Sequence, residues 1–451
     1  MSVFDLIVRN GEVVQESGRA RMDIGVADGR IVALEPELGQ SASTEIDAIG
    51  RVVLPGAIDP HVHFNEPGRT NWEGWASGSA ALVAGGVTTC IEMPLNAHPP
   101  TTTRFAFEAK LAAATASSCA DFALWGGLTP DSLDHLEDLA EAGAIGFKAF
   151  MSATGTDDFH RADDDTLFQG METAARLGLP VAVHAENDSI TAGRARRSVA
   201  AGRTTMRDYL ASRPVVAELE AIQRAITLAE AAGCALHVVH VSTGAGVALV
   251  AAARRRGVDV TCETCPHYLL FTAEDAERIG ALAKCAPPLR DGASQQALWE
   301  AVERGEVDLI ASDHSPVPPE MKQSSDGFAN WGGISGCQHL APVFLTAASQ
   351  RTIDLSRAVR LLAGGAAQRF RLSTKGSIRI GADADLVIWN RSEPGPLQPI
   401  RYRHPRSAWD DTSVTWRPAQ TLLRGTVVYG QNAGVSPGGG FLPGPIYQGR
   451  E

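Results

Sequence analysis

The chain has 451 residues, of which 44% are hydrophobic and 20% are charged, and these fractions are ordinary for a globular enzyme. They exclude a disordered, collagen-like or coiled-coil chain. The 40 lysines and arginines stand against 52 aspartates and glutamates, giving a net charge of −12. Because an acidic surface repels phosphate backbones and anionic lipids, we expect neither a nucleic acid nor a membrane as partner.

The cysteines and the first residues bear on the compartment. Seven cysteines lie scattered between Cys90 and Cys337, and an odd, scattered set predicts no disulfide framework. The first ten residues lack a basic start followed by a long apolar run, so we expect no signal peptide. We find no run of about 18 apolar residues that would predict a membrane span. A reducing, cytoplasmic location is therefore the expectation.

Both ends of the chain are predicted to be rich in β-strands. Apolar runs at 4–8 and 29–34 near the start, and at 385–389 and 421–429 near the end, are typical of short strands. Asn10-Gly11 predicts a hairpin turn. Since chain ends often lie close together, we predict one small β-sandwich domain from residues 1–54 plus 374–451. The last twenty residues, rich in Gly and Pro, predict an extended tail.

The middle of the chain, 55–373, alternates apolar strands with amphipathic helices. The predicted strands are 52–58, 88–93, 122–128, 146–151, 180–184, 236–241, 258–262 and 309–312. The predicted helices are 76–84, 104–114, 133–142, 166–177, 215–232, 246–256 and 295–304. This alternation predicts an α/β fold with a parallel sheet covered by helices. Eight strands favour a closed, TIM-like (β/α)8 barrel over an open doubly wound sheet, and in such barrels the reactive residues follow the strands.

A pair of histidines stands at the end of the first of these strands, in Asp59-Pro-His-Val-His. Residues two apart on a strand point to the same face, so His61 and His63 can converge on one metal ion. Imidazole is a good ligand for zinc and other first-row metals. A lone His-x-His pattern is weak, because many such pairs are surface accidents.

Four further candidates end later strands: Lys148, His184, His240 and Asp313. Each alone has an ordinary structural interpretation, such as a satisfied core histidine or an Asp in a turn. Together with the histidine pair they form a metal-binding constellation at the carboxyl ends of barrel strands. Chance agreement with that geometry is improbable, so the set predicts a metal centre.

Lys148 needs its own explanation, because ammonium does not bind metals and its burial in an apolar strand is costly. A neutral lysine could react with carbon dioxide to form a carbamate, an anionic ligand able to bridge two cations. The alternative is an ion pair with a nearby carboxylate such as Glu186. The residues themselves leave both interpretations open.

These six residues resemble the ligand set of the binuclear metal-dependent amidohydrolase superfamily, in its cyclic-amidase branch. The resemblance covers essentially the whole chain, and within that branch it is strongest to the allantoinase family. The segments that carry it are His63-Phe-Asn-Glu-Pro-Gly-Arg-Thr-Asn-Trp-Glu-Gly, Glu92-Met-Pro-Leu-Asn-Ala-His-Pro-Pro-Thr-Thr-Thr, Asp208-Tyr-Leu-Ala-Ser-Arg-Pro, Cys262-Glu-Thr-Cys-Pro-His-Tyr, Ala283-Lys-Cys-Ala-Pro-Pro-Leu-Arg-Asp and Ser312-Asp-His-Ser-Pro-Val-Pro-Pro-Glu-Met-Lys.

The resemblance implies two divalent cations, Zn²⁺ first and Co²⁺, Mn²⁺ or Fe²⁺ as alternatives, with CO₂ needed to carboxylate Lys148. It implies that His61, His63 and Asp313 bind the more buried metal, that His184 and His240 bind the more exposed one, and that N6-carboxylated Lys148 bridges both. A hydroxide between the metals would attack a ring carbonyl, and Asp313 would carry its proton to the leaving nitrogen. The implied reaction opens the hydantoin ring of allantoin to allantoate, in purine and ureide catabolism, and the implied assembly is a homotetramer.

Two positions bear on the substrate. Where relatives that open dihydropyrimidines usually have a tyrosine, five residues after the bridging lysine, this chain has Ala153; where dihydroorotases tend to have an arginine, it has Asn65. Ser152, Thr154 or a backbone amide of that loop could stabilise the oxyanion instead. Arg69 lies nearby in the sequence. The predicted substrate-binding residues are Asn96, Ser152, Cys285, Ala286, Gly332 and Gly333.

Two alternatives remain: a hydantoinase or dihydropyrimidinase with the same metals and a different pocket, and a non-catalytic scaffold on the same fold. The complete set of six ligands argues against the scaffold. The Cys262-x-x-Cys265 pair has no second pair, so it predicts packing of the seventh strand rather than a zinc site.

Overall fold

The computed structural model describes residues 4–15, 17–430 and 437–448. Its strands are β1 (Phe4–Gln15), β2 (Gly18–Ala27), β3 (Arg30–Glu35), β4 (Ala42–Asp47), β5 (Val52–Pro55), β6 (Ala57–Val62), β7 (Val87–Glu92), β8 (Asp121–Leu124), β9 (Gly126–Gly127), β10 (Phe147–Phe150), β11 (Val181–His184), β12 (Leu236–Val238), β13 (Val260–Thr264), β14 (Leu309–Ile310), β15 (Leu386–Pro396), β16 (Ser413–Leu423) and β17 (Thr426–Gly430).

Fourteen α-helices lie in the same described ranges. They are α1 (Trp75–Ala84), α2 (Arg104–Ser117), α3 (Leu136–Ala142), α4 (Asp164–Leu177), α5 (Asp188–Ala200), α6 (Met206–Ser212), α7 (Val215–Ala232), α8 (Gly244–Arg255), α9 (Pro266–Leu270), α10 (Ala273–Ile279), α11 (Gly292–Arg304), α12 (Leu340–Ala348), α13 (Leu355–Val359) and α14 (Gly365–Arg369). None of these helices is long and apolar enough to cross a membrane.

The two ends of the chain share one eight-stranded sheet, with the strand order β17-β16-β15-β5-β1-β2-β3 and β4 paired to β1. β5 joins the two ends, because it runs parallel to β1 and antiparallel to β15. The buried side chains of this region, including Val8, Ile24 and Leu386, form an apolar cluster of their own. The predicted contribution of both termini to one β structure is therefore observed.

The predicted hairpin at Asn10-Gly11 is wrong. Both residues lie inside β1, where the register against β2 shifts between Val8 and Gly11. Asn10 has a φ of 63°, so the left-handed conformation that would make a turn makes a bulge instead. A Cβ on Gly11 would lie 2.6 Å from Val53, which explains glycine there.

The predicted strand 52–58 is two strands in two different sheets. β5 ends at Pro55 in the eight-stranded sheet, and β6 begins at Ala57 beside β7. Gly56 lies between them and donates its N–H to the Asp385 carbonyl. A Cβ on Gly56 would collide with Thr88, so the chain passes between the two layers at a point where only glycine fits.

The central strands are parallel, as predicted. They form a three-stranded sheet, β6-β7-β8, and a six-stranded sheet, β9-β10-β11-β12-β13-β14. At one edge, Val62, the last residue of β6, forms a parallel bridge with His314, beyond β14. Every residue of the four-residue strands β8, β10 and β11 is buried except Phe150, as expected for strands covered on both faces.

The predicted helices are confirmed in position, and their ends follow local rules. Asp163 caps the start of α4 by accepting from Thr166 N, and Gly178 ends it in the left-handed conformation. Gly233 ends α7 in the same way. The predicted helix 133–142 is a 3-10 segment, Pro130–His135, followed by α3.

The last twenty residues, which the sequence predicts to be an extended tail, contact the rest of the protein where the structure describes them. Its described part, 437–448, packs against the central region: Phe122 exchanges backbone hydrogen bonds with Gly440 and Leu442, and Phe441 contacts the Phe122 ring. These apolar and backbone contacts hold the segment against the protein, although it is rich in glycine and proline. All seven cysteines are buried and free, including Cys262 and Cys265.

Candidate metal centre

The structure brings the six predicted ligands together at the carboxyl ends of the parallel strands. His61 lies in β6 and His63 just after it, Lys148 lies in β10, and His184 ends β11. His240 and Asp313 follow β12 and β14, both with positive φ, 40° and 47°. Each is buried. A positive φ costs energy in a residue other than glycine, and such strained residues are common at functional sites.

His61, His63 and Asp313 form the tightest group. Asp313 Oδ1 lies 3.2 Å from His61 Nε2 and 3.5 Å from His63 Nε2. One ligand atom from each residue lies within 4.8 Å of the other two. Burial alone would raise the pKa of Asp313, but the two imidazoles outweigh it and hold that pKa far below its usual value. Asp313 is thus a carboxylate facing two imidazole nitrogens.

His184 and His240 form a second pair beside this group. His184 Nδ1 lies 3.0 Å from His240 Nε2, and the His240 ring centroid is 5.4 Å from that of His61. Burial lowers the pKa of both histidines. Both rings are therefore neutral at physiological pH, which is the state in which imidazole binds a metal.

Lys148 lies between these groups without a polar partner. Its Nζ has no hydrogen-bond partner among the described residues and sits 4.1 Å from the centroid of the Phe150 ring, which stacks on His184. Burial lowers the pKa of Lys148 to about 7, against the opposing charges of Asp313 and Glu263. A substantial fraction of this amine is neutral at physiological pH.

The alternative partner for Lys148, Glu186, is engaged elsewhere. Glu186 Oε2 lies 2.9 Å from His184 Nε2 and 2.5 Å from the Arg213 guanidinium. Burial would raise the pKa of Glu186, but Arg213 and His184 lower it to about 2. The ion-pair interpretation of Lys148 is therefore wrong. Because Glu186 accepts from Nε2–H of His184, it leaves Nδ1 of that ring free to bind a metal.

The sequence interpretation missed Glu263, which orients the first histidine. Glu263 Oε1 lies 2.5 Å from His61 Nδ1, and Oε2 lies 3.0 Å from His237 Nε2. Burial would raise the pKa of Glu263, but His61 and His237 lower it to about 2. The carboxylate thus holds His61 with Nε2 towards Asp313. The only signal in the sequence was its place in the segment Cys262-Glu-Thr-Cys.

The donor set fits a two-metal centre. Neutral imidazoles and a carboxylate are ligands suited to zinc and similar cations. Four ring nitrogens and Asp313 converge, and two buried polar atoms beside them, Lys148 Nζ and His240 Nδ1, have no hydrogen-bond partner in the described part of the chain. Carboxylates behind His61 and His184 supply the outer contacts that metal-binding histidines usually have.

A cavity of about 500 Å³ opens on this centre. Of the predicted substrate-binding residues, Asn96, Ala286, Gly332 and Gly333 line it, whereas Ser152 and Cys285 are buried behind its wall. The cavity is also lined by Asn330 and Trp331, from the glycine-rich segment 330–336 that the sequence predicts to contribute backbone groups. Four further lining residues were not predicted: Tyr209, Arg213, Lys284 and Phe328. The first three of these lie in segments that carried the family resemblance.

The three candidate oxyanion groups in the loop after β10 differ in whether they already form a hydrogen bond. The Ala153 amide donates to Asp188 Oδ1 at 3.0 Å, and the Thr154 hydroxyl donates to the Phe159 carbonyl at 2.8 Å. The Ser152 hydroxyl is buried with no hydrogen-bond partner within the described residues. Ala153 itself lines the cavity, where a tyrosine side chain would occupy part of it.

The arginine nearest the histidine pair does not reach the cavity. Arg69 donates to the Asn96 carbonyl at 2.6 Å and pairs with Asp158 at 2.9 Å, so it ties two loops together. Asn65 donates to the Pro316 carbonyl and does not line the cavity. The site lacks a free arginine to pair with a substrate carboxylate at these positions.

Comparison with known proteins agrees with this geometry. The model of the amidohydrolase family matches residues 52–428. The allantoinase of Rubrobacter xylanophilus is 60% identical over 446 residues, which cover 98% of each chain, and that of Deinococcus radiodurans is 49% identical, covering 94% of this chain and 95% of the relative. Among solved structures, the L-hydantoinase of Arthrobacter aurescens superposes with a TM-score of 0.94 at 38% identity, covering 98% of this chain and all of that one.

The likeness extends over nearly the whole chain, and the matched range 52–428 spans the candidate centre. A buried set of imidazoles and a carboxylate at the ends of parallel strands is the arrangement that the sequence resemblance implied. The chain belongs to the amidohydrolase family.

Proposed function

We propose that this chain is an allantoinase, which hydrolyses the hydantoin ring of allantoin to allantoate. One structural observation carries the proposal: the Lys148 amine, which has no hydrogen-bond partner among the described residues, lies among four histidines and Asp313, beside a cavity of about 500 Å³. Curated allantoinases up to 60% identical over 98% of the chain support the substrate assignment. The pathway would be purine and ureide breakdown.

Two divalent cations, Zn²⁺ first, are the cofactors of the proposed reaction. His61, His63 and Asp313 would hold one, and His184 and His240 the other. When bound, the cations supply Lewis acidity that activates water and polarises a ring carbonyl. Glu263 and Glu186 fix the orientation of His61 and His184, so the ligands are positioned before the metals bind.

Lys148 would bridge the cations as a carbamate. The neutral amine nitrogen attacks the carbon of CO₂: an N–C bond forms, the electron pair of one C=O π bond moves to oxygen, and the nitrogen loses one proton to water. The pKa of about 7 supplies the neutral amine, and no hydrogen bond within the described part of the chain engages its nitrogen. An anionic group at this point also offsets the charge of two cations in a buried site.

Asp313 would move the proton in the ring opening. Its carboxylate is ionised and faces the cavity, so it can accept a proton from the attacking water. It can then donate that proton to the ring nitrogen as the amide bond breaks. Asn96, Ala286, Gly332 and Gly333, which line the cavity, would contact the substrate. Ser152 and Cys285 do not line it, so we assign them no direct contact with the substrate.

We also propose that the parallel strands close into a (β/α)8 barrel over 55–373, with residues 1–54 and 374–451 forming a β-sandwich domain. The bridge between Val62 and His314 and the continuation of β8 by β9 support closure. The homotetramer and the cytoplasmic location remain predictions from the sequence resemblance and the cysteine pattern.

The test of this function is a substrate panel on metal-reconstituted protein. Allantoin, hydantoin, dihydrouracil and dihydroorotate would be compared by kcat/KM. We expect allantoin to exceed the others by about 100-fold or more, since a site built for a polar substituent discriminates strongly against analogues that lack it. A higher kcat/KM for hydantoin or dihydrouracil would contradict the assignment.

The second candidate function is a hydantoinase. The similarity to the Arthrobacter aurescens L-hydantoinase, with a TM-score of 0.94, favours it. The same panel separates the two, because that candidate predicts efficient opening of hydantoins without the ureido group and no preference for allantoin. In either case the proposed ligands and the role of Asp313 are the same.

A further inference from the structure

One wall of the cavity is a loop held by two lysines. The wall loop, residues 328–333, contributes all six of its residues to the lining. Lys284 Nζ donates to the carbonyl of Phe328 at 3.0 Å and to that of Asn330. Lys322 Nζ donates to the carbonyls of Trp331 and Gly333, at 3.3 and 2.7 Å.

Lys322 also ties this loop to the rest of the protein. Its third hydrogen bond goes to the Ala281 carbonyl at 2.8 Å, in the segment just before Lys284. The Gly333 N–H donates to the Lys284 carbonyl, and the Trp331 N–H donates to the Met321 carbonyl. Four carbonyls and two N–H groups of the wall loop are thus engaged from behind by the segments 281–284 and 321–322.

Gly332 is the residue of the wall loop in which both backbone groups are unpaired within the part of the chain that the structure describes. Among the described residues, neither its N–H nor its carbonyl has a hydrogen-bond partner, and Gly332 is exposed in the cavity wall. In a trans peptide the N–H points opposite to the preceding carbonyl, and the Trp331 carbonyl points to Lys322. The Gly332 N–H is therefore directed away from the lysine.

We propose that Lys284 and Lys322 are positioning residues for substrate binding, which fix the wall loop so that the free peptide groups of Gly332 are presented to the substrate. A cyclic ureide offers alternating N–H and carbonyl groups, which an adjacent backbone donor and acceptor can match. Fixing the loop beforehand removes the cost of ordering it when substrate binds. This inference rests on the proposed function and names residues that act on substrate only through the backbone.

The charges around the lysines add a pH dependence. Lys284 lies over the Tyr209 ring at 4.5 Å. Burial lowers the pKa of Lys322 to about 7, with a further lowering by Lys284 and an opposing effect of the Cys285 thiol. Burial lowers the pKa of Lys284 to about 8, with Arg213 lowering it further and Asp326 raising it. Raising the pH through 7 thus removes charge from Lys322, and its bonds to the three carbonyls weaken.

The test compares Lys322→Met, which removes the charge, with Lys322→Arg, which keeps it at every pH. We expect Lys322→Met to raise KM for allantoin about tenfold at pH 6.5, with kcat changed less than twofold, because a charge-assisted network is lost but the metal ligands are untouched. The KM of the wild type should rise between pH 6 and 9, relative to that of Lys322→Arg, towards the value of Lys322→Met. Arg255→Met, which removes an exposed charge, is the control and should leave KM unchanged.

Hydrogen exchange of peptides spanning 324–334 gives a readout that does not need activity. We expect faster exchange in Lys322→Met, and also in Lys284→Met, with unchanged exchange elsewhere and unchanged metal content. Equal KM values in wild type and Lys322→Met, or equal exchange, would overturn the inference. If the wild type does not hydrolyse allantoin but hydrogen exchange in the wall loop is still faster in Lys322→Met, the proposed function is wrong. The inference that Lys322 fixes the wall loop is then retained.

Discussion

Two buried lysines, Lys148 and Lys375, have opposite surroundings in this protein. Lys375 Nζ lies within 2.9 Å of three carboxylates, Asp121, Asp383 and Asp385. Lys148 Nζ has no hydrogen-bond partner in the described ranges. Burial alone would lower the pKa of Lys375, but Asp385 and Asp121 outweigh it and raise that pKa above its usual value, whereas burial lowers the pKa of Lys148 to about 7.

The carboxylates around a buried lysine distinguish a structural cation from a reactive amine. The three aspartates around Lys375 have the spacing of a metal site, yet the ammonium already fills the space between them and links β8 to the start of β15. Lys148 faces imidazoles and an aromatic ring instead. A buried lysine left without an anionic partner is costly, and such a cost is typical of a functional site.

The largest expected effect is that of Lys148→Met, which removes the amine but keeps most of the volume. Without the bridging carboxylate, we expect at least a ~10⁴-fold loss of kcat/KM and a loss of bound metal, as is usual when a group that assembles the centre is lost. Metal content and turnover measure this. Partial rescue by short carboxylic acids is expected for Lys148→Ala, and full activity in either variant would exclude the bridging role.

Asp313→Asn should have the next largest effect. The amide cannot accept the proton that the carboxylate accepts, so we expect kcat to fall about 10³-fold while the far-ultraviolet circular dichroism stays unchanged. If Asp313→Asn has a near-native kcat and its pH profile keeps the acidic limb of the wild type, Asp313 does not transfer the proton.

Lys375→Met tests the other side of the comparison. Removing the ammonium leaves Asp121, Asp383 and Asp385 together in a buried place, and breaking a buried pair of this kind costs about 3–5 kcal/mol of the free energy of unfolding. Denaturant unfolding measures the loss. The kcat of the folded fraction should stay within about twofold of wild type, and a selective loss of kcat without a loss of stability would overturn the structural role.

Cys262→Ser should have the smallest effect. Its thiol is fully buried in β13 and lies 3.9 Å from the Glu306 carbonyl, which is too far for the shorter serine hydroxyl to donate to the same acceptor. We expect a loss of about 1–3 kcal/mol in the free energy of unfolding and unchanged kcat. A large loss of bound zinc in this variant would show that Cys262 and Cys265 bind metal after all.

The sequence predicted those parts of the site that depend on strand periodicity. His61, His184 and Asp313 were placed by the rule that reactive residues follow parallel strands. The roles of Glu263 and Arg213 were not predicted, because their partners lie 202 and 27 residues away along the chain. Such contacts depend on the order of the parallel strands in the central region, which periodicity alone does not give.

The same reasoning explains where the predicted fold differs from the structure. The run 52–58 is uniformly apolar, and its division at Gly56 depends on contact with Thr88 and Asp385. Asn10 in the bulge has the same left-handed conformation that the predicted hairpin turn would need. In both cases the local signal was correct, and the packing against distant strands decided the outcome.

Carboxylation of Lys148 is tested most directly by ¹³C NMR of the zinc-reconstituted protein equilibrated with ¹³C-bicarbonate. We expect one protein-bound carbamate carbon in the wild type and in Lys375→Met, and none in Lys148→Met. The absence of that resonance from the active wild type, or its persistence in Lys148→Met, would exclude Lys148 as the carboxylated residue.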